Sequence, residues 1–113
     1  MVKVTRGWSS AHGSALRRAP LSARQKAQRL HDEGLLRFRE GRFAEAEAQF
    51  GAALALRPDF ALAMNNLGYV YYKQGKLAEA LRWYEQALAT DPSRAVAYWN
   101  LGDALADLGR EAE

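Results

Sequence analysis

No cysteine occurs among the 113 residues. Disulfides, thiolate zinc centres and a cysteine nucleophile are therefore excluded, and a reducing compartment, the cytoplasm, is the simplest expectation. Histidine is nearly absent as well. With only His12 and His31, no histidine-based triad and no metal-ligating spacing can be assembled. The glycines follow no G-x-G-x-x-G order, so a phosphate-cradling loop is missing too. Nothing approaches the roughly 20 consecutive apolar residues that a membrane-crossing helix needs, and the Met1 start lacks the apolar centre of a secretory signal. Catalysis, a cofactor and a metal are accordingly not expected, and binding or assembly remains.

Acidic residues are missing from one end. Residues 1–31 carry Lys3, Arg6, Arg17, Arg18, Arg24, Lys26 and Arg29 and no Asp or Glu, so with an overall charge of +3 the remainder is net −4. Residues 1–21 also mix Gly7, Gly13, Ser9, Ser10, Ser14 and Pro20 with arginine and show no sustained apolar period. They read as a disordered basic arm. Such an arm is a solvated tail, a partner for nucleic acid or acidic lipid, or an organelle transit peptide, although its glycines and Pro20 interrupt an amphipathic helix.

What is present is a period of 34 residues. Gly34, Gly68 and Gly102 align, and the same offset pairs Gly41 with Gly75 and Gly109, Ala46 with Ala80, Phe50 with Tyr84, Ala53 with Ala87 and Pro58 with Pro92. A fixed period of this length marks helical hairpins that each lack a complete core and bury their apolar faces on their neighbours. Ser22 is a plausible N-cap for a first helix ending near Glu40, before Gly41. The apolar steps Phe43, Ala46, Phe50, Ala53 and Leu54 give a second helix, stopped before Pro58. The same grammar predicts a helix from about Asp59 to Gln74, one from Leu77 to Thr90, and a fifth from about Ser93 to Leu108. The small residues at 34, 46, 53, 68, 80 and 87 are expected where helices approach closely, with Phe50 and Tyr84 filling the space between.

Residues 61–94, ALAMNNLGYVYYKQGKLAEALRWYEQALATDPSR, resemble a tetratricopeptide repeat, with Leu67, Gly68, Tyr71, Gly75, Ala80, Tyr84, Ala87 and Pro92 at that family's signature positions. Residues 27–60 form a second copy, with Glu33 and Arg37 in place of Leu67 and Tyr71, and residues 95–113 form the first half of a third. The resemblance implies an all-α fold: a right-handed α-solenoid of antiparallel helix pairs, five helices in all, occupying residues 22–113.

It also implies a function. First helices of this family line a concave groove, so Asn65, Asn66, Tyr69, Tyr72 and Lys73, with Trp99, Asn100 and Asp103 from the third copy, are the expected peptide-binding residues. Asn66 and Asn100, 34 apart, would form one rung, their amides suited to the backbone of an extended peptide. Tyr69, Tyr72 and Trp99 would offer flat apolar surface. The alternative reading is that these side chains bond or pack between neighbouring helices. One subclass clamps the C-terminal carboxylate of heat-shock chaperones with lysine, arginine and asparagine; Asn66 matches, but His31, Leu35, Val96 and Asn100 do not supply the cations. A groove holding Asp32, Asp103 and Asp107 against Arg39 and Lys73 does not favour nucleic acid.

The partner class is therefore a protein or peptide. The third copy stops short of its second helix, which leaves Tyr98, Leu101 and Leu105 without the cover that Tyr84 and Ala87 give the middle copy. Self-association into a homo-oligomer through these three residues, as a scaffold unit, or a parent chain that continues further, is the alternative expectation.

Overall fold

The computed structural model describes residues 19–112. The basic arm before residue 19, with His12 and the expectation of disorder there, lies outside them. Among the described residues there are five α-helices and no strand: α1 (Ala23–Arg39), α2 (Phe43–Leu56), α3 (Ala61–Lys73), α4 (Leu77–Thr90) and α5 (Ala95–Ala112).

Local chemistry sets most of the boundaries. Ser22 caps α1 through a reciprocal pair: its Oγ accepts from the Gln25 backbone N–H at 3.1 Å, and the Gln25 side-chain oxygen accepts from the Ser22 N–H at 2.8 Å. Such caps typically contribute about 1 kcal/mol. α1 and α3 both end at glycines in the left-handed region, Gly41 at φ 77° and Gly75 at φ 79°, a conformation that glycine adopts without a Cβ penalty. α2 and α4 end in extended backbone at Arg57 and Asp91, immediately before Pro58 and Pro92, whose rings exclude helical geometry from the preceding residue.

The fifth helix departs from expectation. Gly109 occupies the register of Gly41 and Gly75, yet it has no positive φ, and α5 runs through it to Ala112. The first two glycines turn the chain into an antiparallel helix that packs back on the one just ended.

Successive helices pack in antiparallel order, α1 on α2, α2 on α3, α3 on α4 and α4 on α5. First helices also approach one another, α1 to α3 and α3 to α5, whereas α2 and α4 do not. The array therefore bends toward the face made by α1, α3 and α5.

Two aromatic pegs organise the interior. Phe50 of α2 and Tyr84 of α4 have no exposed surface. Each lies against a glycine of the preceding helix: a Cβ at Gly34 would stand 2.7 Å from Phe50 Cε1, and one at Gly68 would stand 2.7 Å from Tyr84 Cε1. Ala46 and Ala53 flank the first peg and Ala80 and Ala87 the second, all without exposure. Small residues thus bring the axes close enough for one ring to fill each hairpin. At Gly102 a Cβ would meet nothing within 4 Å.

Candidate functional site

The bend gathers one side of α1, α3 and α5 into a continuous face. Between α1 and α3 it holds a cavity of about 260 Å³ lined by Leu35, Phe38, Arg39, Phe50, Asn66 and Tyr69. Aromatic rings continue along it. Phe38 is tilted against Tyr69 with centroids 5.4 Å apart, and Tyr69 stacks on Tyr72 at 6.2 Å. The Lys73 ammonium stands 5.6 Å from the Tyr69 ring centroid, a cation–π distance. Arg39 and Lys73 therefore place two cations beside an apolar depression.

Polar side chains tie the first helices together in a repeating register. Asn66 Nδ2 donates to His31 Nε2 at 2.8 Å, Asn100 Nδ2 donates to Asn65 Oδ1 at 3.0 Å, and the Tyr72 hydroxyl donates to Asp107. Each bond spans 35 residues, not 34. A side chain facing forward from one first helix meets the backward-facing side chain of the next, which sits one place further along. Asn66 and Asn100 consequently hold separate bonds instead of one rung. The expected site residues divide accordingly. Asn65 is buried at 3% exposure and acts as a strut. Asn66 and Tyr69 line the cavity, Tyr72 is half-buried, and Lys73 and Asp103 are exposed.

Trp99 lies apart from this cluster. It repeats the register of His31 and Asn65, which face the following first helix, and it is 76% exposed, beside Tyr98, Gly102 and Asp103. Of the three residues expected to lack cover, Tyr98 and Leu105 are 55% and 53% exposed, but Leu101 packs against Ala80, Tyr84 and Ala104. Leu101 is covered because α4 lies on α5 just as α2 lies on α3.

Phe38 was not legible as part of this face, because periodicity puts it on the core stripe of α1. His31 was expected on the face, through its register with Asn65, but as a side chain open to a ligand and not as a buried one. In the structure His31 is 2% exposed, between the rings of Phe50 (5.5 Å) and Phe60 (5.1 Å). Because Nε2 accepts from Asn66, the proton of the neutral ring sits on Nδ1, which faces Asp32 Oδ1 at 3.4 Å. Burial pushes the imidazole below its ordinary 6.5, and Asp32 opposes this only partly. The unfolded chain thus binds a proton at His31 that the folded chain resists. The resulting contribution is intact above pH 6.5 and is lost as pH falls below it toward the depressed folded value. We expect denaturation midpoints of the parent to drop between pH 6.5 and 5 relative to those of His31→Phe, measured side by side.

Among the described residues no three His, Asp or Glu side chains are placed to hold a metal ion, and no helix is long and apolar enough to cross a membrane. A family model described as tetratricopeptide repeat matches residues 31–95 and 84–113. The chain belongs to the tetratricopeptide repeat family.

Solved structures agree. A crystal structure of MamA is similar with a TM-score of 0.72 at 27% identity, over 74% of this chain and 49% of that one. The chain thus spans about half the length of that relative. The second tetratricopeptide repeat domain of Spaghetti (RPAP3), bound to the HSP90 peptide SRMEEVD, is similar with a TM-score of 0.74 at 30% identity, over 77% of this chain and 81% of that one. No curated protein matches the sequence. The tetratricopeptide architecture accounts for the 34-residue period, the paired glycine and aromatic pegs, and the shared face of the first helices.

Proposed function

We propose that this chain is a non-catalytic protein-interaction module that takes an extended peptide of a partner across the α1–α3–α5 face. The observation that carries this reading is the cavity between α1 and α3. At about 260 Å³ it falls below the range of about 300–1,000 Å³ usual for whole small-molecule ligands. It suits a single apolar side chain, flanked by aromatic walls. Arg39 and Lys73 at its rim favour an acidic residue next to that anchor. Peptide capture by the Spaghetti (RPAP3) domain supports the same use of the fold. A chaperone-type carboxylate clamp is not part of the reading, because His31 is buried and neutral against Asn66 while Leu35, Val96 and Asn100 carry no charge.

A displayed peptide library selected on the chain tests this. Enriched peptides are expected to share an apolar residue beside an acid. Tyr69→Ala should weaken them by about thirtyfold, the loss typical of an aromatic anchor, and Arg39→Glu should weaken those with the acid. Peptides that bind both variants as well as the parent would remove the groove reading.

A second reading, assembly into homo-oligomers, draws on the exposure of Tyr98 and Leu105. Molar mass by light scattering over a range of concentrations separates it from the first.

A further inference from the structure

Asn66 supplies the amide in the wall of the α1–α3 cavity, and an amide offers an acceptor or donors according to which way it is turned. What turns it lies outside the cavity. Asn66 Nδ2 donates to His31 Nε2 at 2.8 Å, so that ring nitrogen carries no proton. The other, Nδ1, faces Asp32 Oδ1 at 3.4 Å, and a carboxylate only accepts. Asp32 is itself held by Gln28, whose Nε2 donates to the same oxygen at 3.0 Å. The bonds therefore run in one sense. Asp32 keeps the proton on Nδ1, Nε2 is left as an acceptor, and Asn66 gives it an N–H. Asn66 Oδ1 accepts from no protein group among the described residues and is not shut off from solvent.

Closing the gap between first helices does not require an imidazole. At the next junction Asn65 stands in the register of His31, and Asn100 Nδ2 donates to Asn65 Oδ1 at 3.0 Å. There an amide pair makes the bridge with no ionisable group. At α1–α3 a ring that is 2% exposed makes it, and that ring turns from acceptor to donor at Nε2 by taking up a proton. Facing it are Asp32 from its own helix, the rings of Phe50 from α2 and Phe60 from the turn before α3, and Asn66 from α3. Arg57 lies over Phe60, 4.3 Å from its centroid, and its charge does not shift the imidazole. Asp32 is thus the one charge acting on His31 among the described residues.

We infer that Asp32 and His31 are positioning residues for the groove: they hold Asn66 with Oδ1 free for a backbone N–H of the bound peptide at its anchor residue, and a proton on His31 reverses that preference. This inference rests on the groove reading above. With Nε2 protonated, Asn66 turns its oxygen to the ring and leaves its NH2 to the groove, where it meets the peptide N–H donor to donor. Binding should be tightest with His31 neutral and weaken as pH falls below 6.5 toward the imidazole's depressed value.

A suitable probe is the blocked peptide acetyl-Ala-Leu-Glu-Ala-amide, with an apolar residue beside an acid, compared with the same peptide methylated on the leucine nitrogen. Titrated into the isotopically labelled full chain near neutral pH, the first should shift the signals of Leu35, Asn66 and Tyr69. The methylated peptide should bind about tenfold more weakly, the loss of one hydrogen bond. Affinity for the first should fall between about pH 7 and pH 5.5, a range in which its carboxylate stays ionised, and His31→Phe should abolish that pH dependence. Without any peptide, the nitrogen–nitrogen coupling across the Asn66 Nδ2 to His31 Nε2 bond should be present at neutral pH and vanish when the ring is protonated. Asp32→Ala should stay folded, since that side chain is 64% exposed, and should diminish the same coupling. Equal binding of the methylated peptide, a coupling indifferent to Asp32→Ala, or a pH profile that survives His31→Phe would overturn the inference while leaving the groove intact. Failure of both peptides to bind at millimolar concentration would instead remove the groove reading, and this inference with it.

Discussion

Gly68→Leu is expected to cost about 3 kcal/mol or more, whereas Gly102→Leu is expected to stabilise the same chain by about 0.5–1 kcal/mol. The two glycines are 34 residues apart, equally placed in Leu-Gly pairs of first helices. At Gly68 a Cβ alone would stand 2.7 Å and 2.8 Å from Tyr84 ring atoms and 3.2 Å from the Ala80 carbonyl oxygen. The ring is fully buried and the carbonyl belongs to the backbone of α4, so neither gives way without moving the helix. The three further heavy atoms of leucine would wedge α3 from α4. At Gly102 the side chain enters open space, and only the intrinsic helical preference of leucine over glycine remains. Thermal unfolding should show the opposite signs directly, with Gly102→Leu melting about 4 °C higher than the parent. Similar melting for both variants would mean that the packing of α4 on α3 is looser than described.

The second large effect centres on Tyr84. Tyr84→Ala is expected to cost about 3–5 kcal/mol, the usual loss for a buried aromatic ring cut to a methyl group. Natural domains hold only about 5–15 kcal/mol in total, so this variant should be largely unfolded at moderate denaturant. Tyr84→Phe should behave in the reverse sense. The hydroxyl of Tyr84 is buried without a protein hydrogen-bond partner, and burial pushes its phenol pKa well above the ordinary 10. Removing a buried, unpaired hydroxyl while keeping the ring should stabilise by about 1 kcal/mol. Phe50 fills the equivalent place in the first hairpin without any hydroxyl. Urea midpoints for the two variants test both statements, and an unchanged or lower midpoint for Tyr84→Phe would show that the hydroxyl has a partner.

The groove was partly legible. Asn66, Tyr69 and Lys73 form a second polar and aromatic stripe on a helix whose other stripe is plainly core, and that excess is visible without coordinates. Phe38 and Phe50 were not, because periodicity reports only that a side chain faces inward. It does not report that two inward faces leave a depression between them. The asparagine pair shows the same boundary. Spacing of 34 aligned Asn66 with Asn100, but hydrogen bonds between neighbouring first helices join residues 35 apart, a shift that follows from how one helix leans on the next.

The 34-residue period, its glycine and aromatic pairs and its prolines determined the helices, their order and their family. Each of those signals is local or repeats exactly in register, so it acts through backbone preference and side-chain size alone. The tertiary structure decided what equal residues do in unequal surroundings. Gly109 continues a helix where Gly41 and Gly75 end one, Gly102 is an open socket where Gly34 and Gly68 are filled, and Trp99 is exposed where His31 and Asn65 are buried. In every case the residue's own preference is permissive, and a neighbouring helix, present or not, sets the outcome.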